Sequence, residues 1–569
     1  MSQSVTDIRK TQMSFARKAE AEPEHKFQDL WHLLTRYDWI RSALTKVLAN
    51  DGSKTPGIDG VSKSSLKDEG KQASFIDSLR TELKNGSYRP TPVKRTWIPK
   101  PGKNEERPLG IPTIKDRVVQ EMLRMIMEPI WESDFLDCSN GFRPERRTMD
   151  CIYVMYSRIH SQNKYYWVIE GDIRKCFDRI NHNKLMELVQ KHIEDKRVIQ
   201  LINSFLAAGI MEDGLFQETT EGTPQGGILS PLLANIYLNE LDHWWWQKFG
   251  SLTHYEKAKR RNRHEGNFIL TRYADDFVIL CSGGKQSAEG MKQEVKEFLW
   301  NELHLELSEE KTKITHVNDG FDFLGFHVQR KTPANNKPWL FVTATSQSEK
   351  KLREKIRKMT SKPTAWTPET EKFRAINRVL RGWGNYYRHV SSTQVREDLD
   401  WYVSQRVLEW LMSRHKGMGK REVLKKYLIR EGARMNWGCK DEKGNVYLFL
   451  LRDINSKPYR KANRDNPYLS EEEVTHEEAE TPHIETWDGI TSPEKAVWWT
   501  IREQVLARDD FKCIKCGSTE ELEIHHKHSK GGNGMDNLET LCQKCHEETP
   551  NYGWKKQKLD GKKTQSRAE

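Results

Sequence analysis

Apolar positions in this chain recur with two periods, and those periods sort it into strands and helices. Phe268, Ile269 and Leu270, and again Phe277, Val278, Ile279 and Leu280, form β-branched and aromatic runs that read as the paired strands of a hairpin. Val168-Ile169-Glu170-Gly171-Asp172-Ile173 reads as another strand ending in an acid, with a helix-like stretch after it at Leu185, Met186, Leu188 and Val189. Helical spacings join Phe27, Leu30, Leu34, Tyr37, Leu44 and Leu48 into an N-terminal helix pair, and Met122, Leu123, Ile126 and Ile130 into a core-facing stripe. The same spacing runs through Phe373, Ile376, Leu380, Trp383 and Tyr387, while Arg374, Arg378, Arg381 and Arg388 project elsewhere. That pattern predicts a helix with one face in a bundle and another against phosphates. An ordinary charged helix is the plainer alternative.

Between the two hairpin runs stands Arg272-Tyr273-Ala274-Asp275-Asp276-Phe277. Buried strand ends do not tolerate two acids unless something cationic meets them. With Asp172 at a neighbouring strand end, the carboxylates Asp172, Asp275 and Asp276 predict a pair of Mg2+ ions. Such a pair would activate a primer hydroxyl and stabilise a leaving pyrophosphate. Two acids at a turn, taken alone, would mean no more than a polar turn.

Charge and composition narrow the partner. A net charge of +11 favours a polyanion, and 19 Trp and 17 Tyr include some that can stack on unpaired bases, although most belong to cores. The 569 residues imply about three to four domains. No apolar run approaches the ~20 residues of a spanning helix. Met1 to Lys26 has no apolar centre of the secretory kind. No membrane role is expected, and the cytoplasm is the expected location.

Of nine cysteines, Cys138, Cys151, Cys176, Cys281 and Cys439 are scattered and read as buried thiols of a reducing compartment. Cys513, Cys516, Cys542 and Cys545 form two Cys-x2-Cys knuckles, the spacing of a tetrahedral structural Zn2+ site. Disulfides are the alternative. A small terminal module has a thin core, so a metal staple is apt. Between the knuckles, a strand through Glu523-Ile524-His525-His526 would present the two rings on opposite sides. Asp536-Asn537-Leu538 follows, and His546 comes directly after the last cysteine.

Taken together, these motifs resemble the group II intron-encoded proteins, in which a reverse transcriptase is joined to a maturase domain and often to an HNH endonuclease. Tyr273-Ala274-Asp275-Asp276 resembles the central reverse transcriptase motif. Thr55-Pro56-Gly57-Ile58-Asp59-Gly60, Ile98-Pro99-Lys100-Pro101, Arg107-Pro108-Leu109-Gly110-Ile111-Pro112, Gly141-Phe142-Arg143-Pro144, Gly222-Thr223-Pro224-Gln225-Gly226-Gly227 and Phe321-Asp322-Phe323-Leu324-Gly325-Phe326 follow in family order. Arg381-Gly382-Trp383-Gly384-Asn385-Tyr386-Tyr387-Arg388 resembles the maturase, or thumb, segment.

The resemblance implies an α+β polymerase with right-hand fingers and palm, a helical thumb, and a small zinc-stapled ββα-metal HNH domain. The palm is expected as a small antiparallel sheet with helices on one face. Expected borders are 1–115 for N-terminal helices and fingers, 116–345 for the palm, 346–430 for the thumb, 431–495 for a DNA-binding region and linker, and 496–569 for the nuclease. Lys100 and Arg107 would touch the triphosphate of a dNTP, and Gln225 the incoming nucleotide or template. Phe177 would stack against the sugar and exclude a 2′-hydroxyl, with a core phenylalanine as the alternative. In the nuclease, His526 would be the general base, Asn537 would hold its region in place, and His525 and His546 would bind one catalytic divalent ion, Mg2+. A zinc module that only binds DNA is the alternative there. The implied partners are group II intron RNA, target DNA and dNTPs, and a homodimer is compatible with the sequence. The implied work is splicing assistance, nicking of a DNA target and copying of intron RNA from the nick. A splicing factor with a dead polymerase, or a reverse transcriptase of the defence or diversity-generating kind, are the competing classes.

Overall fold

The structure, a computed structural model, describes residues 3–99, 106–159, 164–212, 215–217, 221–223, 226–332, 338–390, 392–441, 444–459 and 466–470, and parts of 505–547. The chain divides into two units, Met1–Ile484 and Glu485–Glu569.

The centre of the first unit is an antiparallel sheet of four strands in the order Phe268–Tyr273, Asp276–Cys281, Trp167–Asp172, Lys313–His316. Side chains alternate across a strand, and here both faces are apolar. Ile169, Leu270, Phe277 and Ile279 enter one core, while Val168, Val278 and Leu280 enter a second. The first core is completed by helices Ile114–Trp131, Ser230–Trp245 and Lys285–Leu303. The expectation of helices on one face is therefore corrected: helix Thr148–Arg158 and the thumb cover the other face. Continuous apolar runs such as Phe277–Leu280 are what two buried faces demand.

A second sheet has the order Glu106–Ile111, Val93–Pro99, Ile210–Glu212, Leu215–Gln217, two strands from the range expected for the fingers and two from the range expected for the palm. Its outer strands join as hairpins, but Val93–Pro99 and Ile210–Glu212 pair in parallel. An element that the sequence reading did not contain is the N-terminal helix Gln3–Ala21, which buries Ile8, Met13, Ala16 and Ala19.

The thumb helices Ser346–Met359, Glu369–Tyr386, Thr393–Arg414 and Lys420–Tyr427 share the second core with the palm sheet. The Trp383–Tyr387 motif forms the joint. The Tyr386 hydroxyl donates to Leu324 O at 2.8 Å, and the Tyr387 hydroxyl donates to Gly325 O at 3.0 Å. Leu324 and Gly325 form a left-handed turn, with φ of 50° and 79°. The aromatic residues of the maturase-like segment are thus buried couplers between thumb and palm.

Strand Leu428–Glu431 pairs with Arg434–Asp441, which pairs with Gly444–Tyr447. A border at residue 430 therefore cuts a hairpin, and it moves past this small sheet, whose Trp437 and Cys439 lie in the thumb core. Further on, Tyr468 is buried, and its hydroxyl donates to Glu128 at 2.6 Å. Among the described residues, no helix is long and apolar enough to cross a membrane.

Helix Ser230–Trp245 braces the hairpin of strands Phe268–Tyr273 and Asp276–Cys281 through Arg272 and carries a pH-sensitive contact. His243 Nε2 lies 3.1 Å from Asp134 Oδ1, and Asn239 donates to Asp134 Oδ2 at 2.6 Å. The Asp134 hydrogen bond raises His243 above its ordinary 6.5, against the opposing effect of burial. A raised folded-state value means the contact stabilises fully below that ordinary value and is lost as pH rises through the raised one. Thermal stability is expected to decline as pH rises above the ordinary histidine value of 6.5, and His243→Gln to flatten that decline, as read by melting curves on either side of it.

Candidate active sites

In the polymerase centre, strand pairing places Asp172 directly opposite Asp276, while Tyr273 pairs with Asp276 across a two-residue turn at Ala274 and Asp275. Asp172 and Asp275 are half-buried and Asp276 is exposed. Lys311 Nζ reaches both Asp172 oxygens, at 3.0 and 2.9 Å. Burial raises the Cys176 thiol well above its usual value, and the nearby charges of Asp275, Asp172 and Asp178 push it further, against Arg272. The register therefore brings together the acid-bearing ends of two distant segments, Asp172 opposite Asp276 with Asp275 next in the turn, and a lysine already meets Asp172. This donor set fits hard divalent cations, which take carboxylate oxygens.

The turn is held by groups that the sequence reading missed. Ala274 has φ of 58°, a left-handed conformation that costs a non-glycine residue strain and persists only where its surroundings over-determine it. Arg272 is fully buried, and all five of its N–H groups are used. Nε and Nη2 donate to Asp242, Nη1 donates to Asn235 Oδ1 and Ala274 O at 2.9 Å each, and Nη2 donates to Ser139 Oγ at 2.8 Å. From the other side Gly141 presses on the turn; a Cβ there would lie 2.3 Å from Ala274 N. Asn235 Nδ2 also donates to Gly141 O at 2.7 Å. The available signal was Asn235, Asn239 and Asp242, three polar residues recurring at four and three along one face of an apolar helix.

Phe177 is half-buried beside the acids, its ring 6.4 Å from that of Phe142 in an edge contact. Its carbonyl accepts from Thr223 N at 2.7 Å, and Gly222 N donates to Ile180 O at 2.8 Å, so the Gly-rich loop rests on the turn after Asp172. Lys100, Gln225 and Asn537 lie outside the described residues, and for Arg107 and His526 only the backbone is described. Arg107 stands opposite Ile98 in the fingers hairpin.

The arginines of helix Glu369–Tyr386 do not share one free face. Arg374 pairs with Asp441, and Arg381 lies over the Phe449 ring at 5.0 Å, both on the side of the added sheet. Arg378 is exposed and makes no ion pair among the described residues, whereas Arg388 is half-buried past the helix end.

In the second unit, strands Leu522–His526 and Leu538–Cys542 pair antiparallel and lead into helix Gln543–Glu547. The Sγ atoms of Cys513, Cys516, Cys542 and Cys545 lie within 4.8 Å of one another. Burial opposes ionisation of Cys513, but backbone N–H groups of Cys542, Cys516 and Lys515 outweigh it and bring the thiol down to about 6. A thiol held near its thiolate form suits a tetrahedral metal site. His525 is buried, with its ring 5.0 Å from that of His546, so the two expected ion ligands come together.

Comparison with known families agrees with this geometry. Residues 98–328 match the family model for reverse transcriptase (RNA-dependent DNA polymerase), 349–428 the group II intron maturase-specific domain, and 513–551 the HNH endonuclease. These define the class: a reverse transcriptase, a maturase and an HNH nuclease in one chain, the first and last from families that use divalent metals. Escherichia coli protein YkfC is 38% identical over 57% of this chain and 89% of its own length. The group II intron-encoded protein LtrA of Lactococcus lactis is 29% identical over 90% of this chain and 92% of its own. An uncharacterised 91 kDa protein in the cob intron of Schizosaccharomyces pombe is 27% identical over 90% and 68% respectively. The chain belongs to the group II intron-encoded proteins. It is an RNA-directed DNA polymerase with maturase and endonuclease domains, and its domains imply intron RNA and nucleotides as what it binds.

Proposed function

We propose that this chain binds its own intron RNA, nicks one strand of a DNA target, and extends the nicked 3′ end while copying the intron, working as a cytoplasmic ribonucleoprotein. The observation that carries the reading is the register that sets Asp172 opposite Asp276 beside Asp275. Asp172 and Asp275 would hold two Mg2+ ions, with Asp276 completing the carboxylate set. Bound there, the ions supply Lewis-acid stabilisation of charge on the attacking and leaving oxygens. Lys311, whose side chain is more than half exposed, would leave Asp172 to cations held there. Phe177 lines the sugar side of the site and excludes ribonucleotides, while Lys100 and Arg107 hold the triphosphate and Gln225 the nucleotide or template. Arg378 is the thumb residue best placed for RNA phosphates, with Arg374, Arg381 and Arg388 bound to the thumb's own packing as well.

In the nuclease, the four cysteines would hold Zn2+ and fix the strand on which His526 acts as general base, with Asn537 holding its region. His525 and His546 would hold one Mg2+. His526→Ala is expected to lower DNA nicking by about 10²–10⁴-fold and to leave extension of a pre-nicked primer at its normal rate. Nicking that persists would place the base elsewhere. Extension that falls equally would mean the substitution damaged more than the nuclease.

A further inference from the structure

The segment between helix Ser230–Trp245 and the catalytic hairpin is a charged projection that the polymerase chemistry leaves unused. Its helix, His254–Asn262, has no buried residue. Five Lys or Arg residues stand between positions 257 and 263. Only two glutamates accompany them, and both are committed: Glu256 caps the helix at Thr253, and Glu265 serves Arg260 at 3.2 Å and Arg263 at 3.8 Å. Lys259 and Arg261 make no ion pair among the described residues. Lys257 faces Arg261, and Lys259 faces Arg263, one turn apart, so like charges repel along the same face.

Neighbouring elements add cation rather than balance. Partial burial lowers the Lys257 ammonium, and Arg158, at the end of helix Thr148–Arg158, lowers it further. Arg158 and Arg261 both act on the Tyr165 hydroxyl. Tyr255, in the helix's first turn, is 75% exposed. A nine-residue helix gains little from its own hydrogen bonds, and this one buries nothing and concentrates one sign of charge. Such a face is stabilised when a polyanion covers it.

Its place in the fold separates it from the polymerase centre. It precedes the start of strand Phe268–Tyr273, whereas the carboxylates stand at that strand's far end. Six residues of strand put roughly 20 Å between them.

We propose that helix His254–Asn262 and Arg158 form a second RNA-docking surface, remote from the polymerase centre, that holds phosphates of the folded intron RNA. Lys257, Lys259, Arg261 and Arg263 neutralise backbone charge, and Tyr255 stacks on an unpaired base. The proposal rests on the chain's being an intron RNA-binding protein.

The test uses the full-length chain with Lys259, Arg261 and Arg263 all changed to Gln. Its affinity for the folded intron RNA is measured from about 50 to 500 mM salt, beside primer extension on a short RNA template. Affinity is expected to fall at least tenfold near 150 mM salt, and the log–log salt slope to shrink by about two to three, while extension is unchanged. An unchanged affinity and slope would make the patch an ordinary solvated face and overturn the proposal. An equal loss in primer extension would overturn it too, by assigning the cations to the template–primer. An unaltered chain that extends primers but does not hold intron RNA would defeat the parent reading, and is recognised without the variant.

Discussion

Asp275→Asn is expected to abolish DNA synthesis on an RNA template while leaving intron RNA binding intact. The change removes one negative charge and no volume, so packing of the turn is conserved. Asp275 is half-buried at the tip of a hairpin whose partner strand ends in Asp172, and the two charges act together on Cys176. In the proposed reading Asp275 serves both ions, so its loss would weaken both positions at once. Metal-supplied stabilisation of the transition state is several kcal/mol, which converts to a loss of about 10³-fold or more in the rate of nucleotide addition. The same change at exposed Asp276 is expected to cost less. Single-turnover incorporation of one dNTP reads the rate, and a filter-binding measurement with intron RNA reads the fold. Synthesis within about tenfold of the unaltered chain would remove Asp275 from the metal site.

What the sequence made legible were local patterns. Strands ending in acids are readable because hydrophobic period and charge change within a few residues, as at Ile169–Asp172 and Tyr273–Asp276. The knuckle cysteines are readable because metal ligation fixes short spacings. Hidden were features that depend on distant partners. Gln3–Ala21 buries mostly alanine and isolated larger residues, so its apolar stripe is faint among the charges. Arg434–Asp441 buries four consecutive residues, Asn436 to Cys439, and so never alternates. Arg374 looked like a phosphate contact because Asp441, its partner, lies 67 residues further on. Tyr386 and Tyr387 read as a family mark, yet their hydroxyls reach a turn 62 residues back. Arg272 lay in plain view three residues before Asp275, but its meaning was hidden because Asp242, Asn235 and Ser139 come from other elements.

That buried arginine supports the second large effect. Arg272 and Asp242 both have 0% side-chain exposure and carry opposite charges. Removing one partner strands the other charge in the core, so Asp242→Ala is expected to destabilise the fold by about 3–5 kcal/mol. A gentler change separates stability from positioning. Arg272→Lys keeps the charge beside Asp242, but an ammonium has three donors in place of five and no planar fork. It cannot serve Asp242, Asn235, Ser139 and the Ala274 carbonyl together. The left-handed Ala274 then loses a restraint on the turn that carries Asp275. A shift near 1 Å at a reacting centre costs about 10²-fold, so kcat for dNTP addition is expected to fall by that order with KM for dNTP little changed. The residue is a positioning one, because it touches the turn and not the substrate. A lysine variant that melts earlier yet retains its full kcat would show that the network supports only the fold. A loss of kcat without a matching loss of stability would show that the five hydrogen bonds of one arginine set the geometry of the carboxylates beside it.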